Sequence, residues 1–226
     1  MENTVAIIGA GDLTGKRIAR DFLKRGWRVL AGCLPGQEES KLEGNISFFS
    51  ADPMSHASML EAAKKLDQPV DMLVINVDYN FGEDCATILD PQDFAALMAG
   101  YEYNTVGPLR AINAFMPLLE LGKGKRICVV TTKDSSNNLC RDIGGYGRHI
   151  TKAPLNQAMN QLFNGLRPEG YTFRIYCKDP TVGEDTAGSF AAEYFIRNRS
   201  FEPEDYKHSD ENRLVLRDWM SIELPW

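Results

Sequence analysis

A glycine-rich segment near the start of the chain has residue types that suit phosphate binding. Residues 8–16 read Ile-Gly-Ala-Gly-Asp-Leu-Thr-Gly-Lys and place glycines at Gly9, Gly11 and Gly15. Glycine lets the backbone approach a ligand closely, and the N-terminus of a following helix offers N–H groups and a positive dipole end to phosphates. The segment therefore predicts a dinucleotide pyrophosphate site. A tight turn that binds no ligand is the alternative.

The elements that would position this turn follow a regular alternation. Short β-branched runs alternate with segments of helical periodicity, which is typical of βαβ units and a parallel sheet. The predicted strands cover residues 4–9, 27–33, 46–50, 70–77, 126–132 and 171–177, with a short edge strand at 213–216. The predicted helices cover residues 13–26, 54–66, a long segment from 94 or 101 to 121, an apolar stripe from 155 to 166, and 185–199.

This pattern predicts the fold class. We expect an α/β protein with a single-domain, Rossmann-like, doubly wound parallel sheet and helices on both faces. The domain is predicted to span residues 1–226. Within it, residues 201–226 are charged and irregular, and we interpret them as a C-terminal segment that packs on the domain or covers a ligand.

Composition and charge exclude several classes of partner. The 226 residues are 43% hydrophobic and 25% charged, as in an ordinary globular protein. A net charge of -6 and a pI near 5.2, without a cluster of Lys and Arg, argue against nucleic acid. No apolar run approaches the roughly 20 residues of a membrane-spanning helix, and the first residues lack a signal-peptide pattern. We expect a cytoplasmic protein with a small-molecule substrate.

The cysteines and histidines show no metal-binding pattern in the sequence. Five scattered cysteines suit a reducing compartment, and three of them lie in apolar, strand-like runs where a thiol behaves as a small hydrophobe. The cysteines are Cys33, Cys85, Cys128, Cys140 and Cys177. His56, His149 and His208 have no ligand spacing with one another or with a cysteine. We therefore expect no metal site.

Several segments between residues 5 and 186 resemble the short-chain dehydrogenase/reductase family in order and spacing. Gly9 and Gly15 fall on the first and third glycines of the family's TGxxxGxG turn, and Leu13 occupies the second glycine position. Asp52 matches the aspartate that contacts adenine in the family. The resemblance implies a Rossmann-like fold that binds NAD or NADP.

The same resemblance covers the family's active-site segments. Asn76 is kept from the family's Asn-Asn-Ala-Gly strand end, and Asn104 matches the helix asparagine that supports its proton relay. Ser135 stands where the substrate-orienting serine is expected. Lys152, in Thr-Lys-Ala-Pro-Leu, matches the active-site lysine of the family's Ser-Lys-Ala-Ala-Leu run. The resemblance implies catalytic roles for these residues.

The family's catalytic tyrosine is replaced in this chain. It lies four residues before the lysine and thirteen after the serine, and both counts lead to Arg148. A guanidinium is always charged and cannot act as a general acid, but it can stabilise an oxyanion or bind a carboxylate. Tyr146, His149 or a water are the candidates for the proton role. Two residues along a helix give about 200° of rotation, which turns Tyr146 from the face of Lys152 unless a loop lets it reach in.

Two further segments bear on the site. Pro154 disfavours a regular helix, so the helix either begins near Ala153 or bends there. Residues 178–183 resemble the family's Pro-Gly segment beside the nicotinamide, which implies contacts from Pro180 and Val182, with Thr186 further along the loop. Preference between NAD and NADP is left open.

The cofactor's phosphate state has only weak sequence signals. Residues 31–35, at the end of the second predicted strand, carry neither the acidic residue typical of NAD binding nor the basic one typical of NADP binding. Lys16 and Arg17 are candidates for a 2′-phosphate.

Three functions are consistent with these residues. The first is an NAD(P)-dependent oxidoreductase with a degenerate active site. The second is a non-catalytic dinucleotide-binding sensor or silent partner subunit, and the third is a non-redox isomerase or lyase in which Arg148 holds an anionic substrate. The resemblance also implies a homodimer or homotetramer that assembles through the predicted helices at residues 101–121 and 155–166.

Overall fold

The structure is a computed structural model that describes residues 2–37, 42–82, 85–197 and 210–226. One sheet in the order β3-β2-β1-β4-β5-β6-β7-β8 runs through it, and every neighbouring pair is parallel except β7 and β8. The strands are β1 (Thr4–Ile8), β2 (Arg28–Cys33), β3 (Ile46–Ser50), β4 (Met72–Ile75), β5 (Arg126–Thr132), β6 (Thr172–Lys178), β7 (Leu216–Arg217) and β8 (Glu223–Leu224).

Helices cover both faces of this sheet, as the sequence predicts. They are α1 (Leu13–Lys24), α2 (His56–Leu66), α3 (Phe94–Tyr101), α4 (Gly107–Leu121), α5 (Tyr146–Leu166) and α6 (Glu184–Ile196). Phe22 of α1 and Phe195 of α6 are buried in the core of one face. Met59, Phe115 and Met159 of α2, α4 and α5 are buried in the core of the other. The predicted doubly wound α/β fold is confirmed.

The strand order reverses direction between β1 and β4. In an open α/β sheet, ligands bind in the crevice outside the carboxyl ends of the strands at such a switch point. The glycine-rich turn follows β1 at this edge, and Asn76 follows β4 beside it. The fold therefore brings the sequence-predicted cofactor residues to the position where the α/β architecture supports binding.

The long helix predicted to end at residue 121 begins at the earlier of its two alternatives. α3 starts at Phe94, a π-helical turn occupies Glu102–Val106, and α4 continues to Leu121. π-helical turns are rare and often lie at functional sites. This one carries the buried side chain of Asn104.

Of the two alternatives that Pro154 suggests, a start of the helix near Ala153 is wrong. The helix begins at Tyr146 and continues through Pro154, so the proline lies inside it. Gly145 precedes the helix with φ 70°, and a Cβ on Gly147 would lie 2.5 Å from the ring of Phe81. Burial of Thr151, Lys152 and Leu155 on the inner face offsets the roughly 3 kcal/mol that an internal proline costs.

The C-terminal part differs in detail from the prediction. The predicted edge strand at 213–216 lies one to three residues later, at β7, and β8 adds a further antiparallel strand. The helix predicted to reach Arg199 ends at Ile196, and residues 198–209 lie outside the described part. Within the described ranges, no helix combines the length and apolar character needed to cross a membrane.

Candidate active site at the carboxyl edge of the sheet

The glycine turn is packed tightly against the end of β4. Gly9 has φ 86°, and a Cβ there would lie 1.8 Å from the carbonyl oxygen of Asn76. The side-chain amide of Asn76 donates to the carbonyl oxygen of Gly9 at 2.9 Å. A Cβ on Gly15 would lie 2.2 Å from the same carbonyl oxygen of Gly9. Packing of the turn thus requires both glycines, whether or not a ligand binds.

Asp12 places a carboxylate at the N-terminus of α1, a feature that the sequence analysis missed. Its Oδ1 accepts from the backbone N–H of Gly15 at 2.6 Å and from the amide of Asn76 at 2.9 Å. Leu13, at the second glycine position, is 67% exposed, so its side chain does not fill the crevice. The turn is therefore sterically open but carries a negative charge near the predicted pyrophosphate.

Further carboxylates surround the crevice. Burial raises the pKa of Tyr103, and the charges of Asp52, Asp12 and Asp78 raise it further. Asp52 also uses Oδ1 to accept from the N–H of Met54 at 2.9 Å. Asp52, the predicted adenine residue, therefore shares a region of negative charge around Tyr103 with Asp12 and Asp78.

The remaining residues predicted at the glycine turn are placed as follows. Gly11 lies beside Gln37, whose Oε1 would be 2.9 Å from a Cβ at Gly11. Arg17, a candidate for a 2′-phosphate, has its Nε 3.4 Å from Asp21 Oδ1. Because Arg17 contacts Asp21 within its own helix, its position does not indicate a preference between NAD and NADP.

Lys152 lies at the centre of a buried polar cluster. Its Nζ donates to Thr132 Oγ1 at 3.0 Å and lies 2.8 Å from Asp78 Oδ1. The second oxygen of Asp78 is 3.4 Å from Nζ of Lys178. The ends of β4, β5 and β6 supply these partners. Asp78, Thr132 and Lys178 were not identified in the sequence analysis.

Asn104 is brought to the same cluster by the π-helical turn. Its Oδ1 accepts from the N–H of Tyr79 at 2.8 Å, and its amide donates to Thr151 Oγ1 at 2.9 Å. Asn104, Lys152 and Thr131 line a cavity of about 10 Å³, roughly the volume that one water molecule needs. The arrangement can therefore support a water beside the lysine.

Ser135 is not the hydroxyl that contacts the lysine. Its hydroxyl donates to the carbonyl oxygen of Thr132 at 2.9 Å, and its side chain is buried in a 3-10 turn after β5. Thr132, the last residue of β5, takes the position beside Lys152 instead. Thr132 lies three residues before the position that the family's spacing of thirteen residues indicates. The count therefore led to Ser135, whose hydroxyl does not contact Lys152. The end of the predicted strand at 132 was the signal that could have identified Thr132.

The three candidates around the missing tyrosine separate into two groups. Arg148 is half-buried and lies one helical turn before Lys152, on the same face of α5. Tyr146 and His149 line a different cleft of about 590 Å³, together with Ile150 on the outer face of the helix. The structure therefore brings Arg148, but neither Tyr146 nor His149, to the side of the helix that carries Lys152.

The loop after β6 is held by an internal ion pair. Pro180–Val182, which the resemblance places beside a nicotinamide, forms a 3-10 turn after β6. Lys133 Nζ lies 2.8 Å from Asp179 Oδ2, and Thr181 donates to Asp179 Oδ1 from both its hydroxyl and its N–H. These bonds lower the pKa of Asp179 to about 2. Thr186, which was expected in this loop, lies in the first turn of α6 and is exposed.

Comparison with protein-family models finds none that matches the chain. Among curated proteins, the chain is 36% identical to C-signal of Myxococcus xanthus over 103 residues, 46% of this chain and 60% of that protein. It is 26% identical to 1-hydroxy-2-glutathionyl-2-methyl-3-butene dehydrogenase of Rhodococcus sp. strain AD45 over 195 residues, 85% of this chain and 83% of that protein. Thus the chain spans less than two thirds of C-signal.

Solved structures share the fold over the whole chain. Carbonyl reductase Sniffer of D. melanogaster superimposes with a TM-score of 0.82 at 17% identity, covering 100% of both chains. A carbonyl reductase from Pseudomonas aeruginosa PAO1 in complex with NADP gives a TM-score of 0.72 at 19% identity, covering 99% of this chain and 100% of that one.

Fold and site together define a Rossmann-like α/β protein with a lysine and a hydroxyl at the carboxyl edge of a parallel sheet. The chain is similar in sequence to short-chain dehydrogenases/reductases and related oxidoreductases, and it shares the fold of their solved structures.

Proposed function

We propose that the chain is a nicotinamide-dinucleotide-dependent oxidoreductase in which Thr132 and Lys152, rather than a tyrosine, handle the proton of a carbonyl or alcohol group. The contact of 3.0 Å between Lys152 Nζ and Thr132 Oγ1 carries this proposal. It joins a buried ammonium to a hydroxyl at the edge where α/β sheets bind ligands. Asn104 and a cavity of about 10 Å³ complete the cluster.

Two features of the crevice between β1 and β4 support the binding of a dinucleotide there. Leu13 is turned to solvent, and the N-terminus of α1 faces the crevice that follows β1. The turn from Gly9 to Gly15 would hold the pyrophosphate, with Asp52 towards the adenine and Asn76 supporting the turn. When bound, the dinucleotide supplies or accepts a hydride. NADP in the Pseudomonas aeruginosa carbonyl reductase supports this class of cofactor.

Proton handling falls to groups of this chain. In the reductive direction, Thr132 Oγ1 gives its proton to the substrate oxygen and takes one from Lys152 Nζ, with which it already shares a hydrogen bond. Asp78 Oδ1, 2.8 Å from Lys152 Nζ, holds the lysine side chain in position. Arg148 keeps its proton and stabilises negative charge on the substrate.

The test combines binding with turnover. Calorimetric titration with NAD, NADH, NADP and NADPH should give saturable binding of at least one of them. A panel of aldehydes, ketones and alcohols should then change the nicotinamide absorbance, and Lys152→Met should abolish that change while its far-ultraviolet circular dichroism stays native. Absence of both binding and turnover in the unmodified protein would refute the proposal.

A second candidate is a non-catalytic family member that acts as a sensor or a silent partner subunit. The carboxylate of Asp12 favours it, because a negative charge at the N-terminus of α1 repels a pyrophosphate. Saturable dinucleotide binding without turnover on the panel would support this candidate. Turnover that disappears in Lys152→Met would exclude it.

We also propose that the chain forms a homo-oligomer. Phe94 and Met98 on α3 are 68% and 67% exposed, and Ile150 on α5 is 48% exposed. Leu155 and Met159 form the core face of α5 and are buried inside the subunit, so the N-terminal part of α5 would supply the contact. Light scattering should give a mass of at least two chains, and a monomeric mass would refute the proposal.

A further inference from the structure

The cleft on the outer side of α5 contains a cluster of possible metal ligands beside the residues of the proposed redox reaction, since Asp134 Oδ2 accepts from Thr132 Oγ1 at 3.1 Å. Asp134 follows β5, Asp142 lies in the next loop, and His149 lies in the first turns of α5. One potential ligand atom from each side chain lies within 4.8 Å of the others. All three residues line the cleft of about 590 Å³, where open space adjoins the cluster.

The hydrogen bonds of His149 determine what its second nitrogen requires. Nδ1 lies 3.2 Å from the backbone carbonyl oxygen of Asp134, which can only accept, so Nδ1 carries the hydrogen. Nε2 lies 2.9 Å from Asp142 Oδ2, which is also an acceptor when ionised. In a neutral ring, the lone pair of Nε2 would therefore face a lone pair of Asp142 Oδ2, and the two would repel each other. Either a proton or a metal cation must lie between Nε2 and the carboxylate.

This orientation is the one that metal-binding histidines use. A ligating imidazole donates its other N–H to a carbonyl or carboxylate, and that bond fixes the ring's tautomer and direction. The carbonyl of Asp134 holds the ring of His149 in this way and aims Nε2 towards Asp142. The backbone bond thus fixes the direction in which Nε2 of His149 points.

We propose that Asp134, Asp142 and His149 bind one divalent transition-metal ion. One imidazole nitrogen and two carboxylate oxygens suit zinc or manganese, whereas magnesium and calcium prefer oxygen ligands alone. Three protein ligands leave positions that face the cleft, as in metal sites that bind a further ligand. The sequence spacing gave no sign of this site because the ligands come from a turn, a loop and a helix.

Metal titration of the isolated protein tests the proposal without a substrate or dinucleotide. After removal of metals with a chelator, calorimetry with zinc and with manganese chloride should show one saturable site per chain for at least one of them. Asp142→Asn and His149→Gln should each weaken it by at least about tenfold. His56→Gln, which changes an exposed histidine on α2, is the matched control and should bind as the unmodified protein does.

Two alternatives to the proposed metal site can be tested: metal binding by exposed cysteine thiols, and an imidazolium–carboxylate pair that binds no metal. Cys85 is exposed and Cys140 half-exposed, so a Cys85→Ser/Cys140→Ser variant must retain the site; its loss would assign the binding to thiols and overturn the proposal. Nitrogen NMR of His149 should show no hydrogen on Nε2 once metal is added. A persistent Nε2–H, or equal affinity in Asp142→Asn, would identify a simple imidazolium–carboxylate pair and overturn it as well.

Because Asp142 is exposed, the Asp142→Asn variant is expected to fold even if a change at His149 disturbs α5. Dinucleotide binding is measured separately, so failure of the metal site and failure of the proposed redox function give different results.

Discussion

The ammonium nitrogen of Lys152 lies 2.8 Å from Oδ1 of Asp78, and the lysine side chain is only 7% exposed. Asp78 stands in the segment where the resembled family has Asn-Asn-Ala-Gly, so the carboxylate is a feature of this chain. Its two oxygens contact Lys152 and Lys178, which come from α5 and β6. Asp78, in the segment after β4, thus pairs with a buried cation and connects α5 and β6 at the site.

Asp78→Asn should destabilise the protein by about 1–3 kcal/mol, because it leaves a buried ammonium with a weaker partner. Urea unfolding measures the change. The matched control is Glu61→Gln, which removes an exposed ion pair with Lys65 on α2. Such an exposed pair is screened by solvent and contributes little to stability. Equal effects from the two substitutions would show that the Asp78 pair has no special role in stability.

Asp12→Asn should raise dinucleotide affinity by a factor on the order of five, and the gain should shrink as salt is added. Asparagine caps a helix as well as aspartate does, so the stability of α1 should be unchanged. Asp93→Asn is the control, because Asp93 caps α3 in the same way, through the N–H of Ala96. Calorimetry with NAD and NADP measures the affinities. Unchanged affinity in Asp12→Asn would contradict charge repulsion at the turn.

If the chain turns over a carbonyl substrate, Thr132→Val should lower kcat by about 100-fold or more, because it removes the hydroxyl that Lys152 contacts. Ser135→Ala should change kcat by less than about threefold, since the hydroxyl of Ser135 is used on the carbonyl of Thr132. Steady-state kinetics of the two variants compares these hydroxyls. The opposite ranking would restore Ser135 as the residue beside the reaction.

The sequence was sufficient for the fold because alternating β-branched runs and helical stripes are local signals that parallel α/β packing preserves. It also located Asn104 and Lys152, which lie together in the structure. It failed for Thr132 because a longer loop breaks the spacing rule, and for Asp78 because ion pairing depends on tertiary neighbours. The expectation of a helix start near Ala153 failed for a related reason: burial of the inner face of α5 outweighs the local penalty of Pro154.

Thiol labelling of the native protein should distinguish exposed from buried cysteines. Cys85 is exposed and should react fast, and Cys140 should react more slowly. Burial raises the pKa of Cys128 to about 12 and that of Cys177 to about 12, so neither forms the reactive thiolate at pH 8. These two and buried Cys33 should react only after unfolding. Fast reaction of more than two thiols would contradict the burial of the strands that carry them.

A carboxylate at the start of the C-terminal segment makes stability depend on acid. Burial alone would raise the pKa of Asp210, but two hydrogen bonds from Arg217, at 2.5 and 2.6 Å, and the charge of that guanidinium outweigh it, so the pKa lies below its usual range. Tyr194 of α6 adds a third bond at 3.0 Å. The carboxylate thus stabilises the attachment of residues 210–217 to the domain.

Because the pKa of Asp210 is lower in the folded than in the unfolded chain, its contribution is complete above the unfolded value, near 3.8, and is lost as the pH falls through the folded value. The free energy of unfolding should therefore fall more steeply below about pH 4 in the unmodified protein than in Asp210→Asn. Urea unfolding at a series of pH values measures both slopes, with Glu43→Gln, a change of an exposed carboxylate, as the control. Identical slopes in the unmodified protein and in Asp210→Asn would mean that the contact with Arg217 does not hold the C-terminal segment in solution.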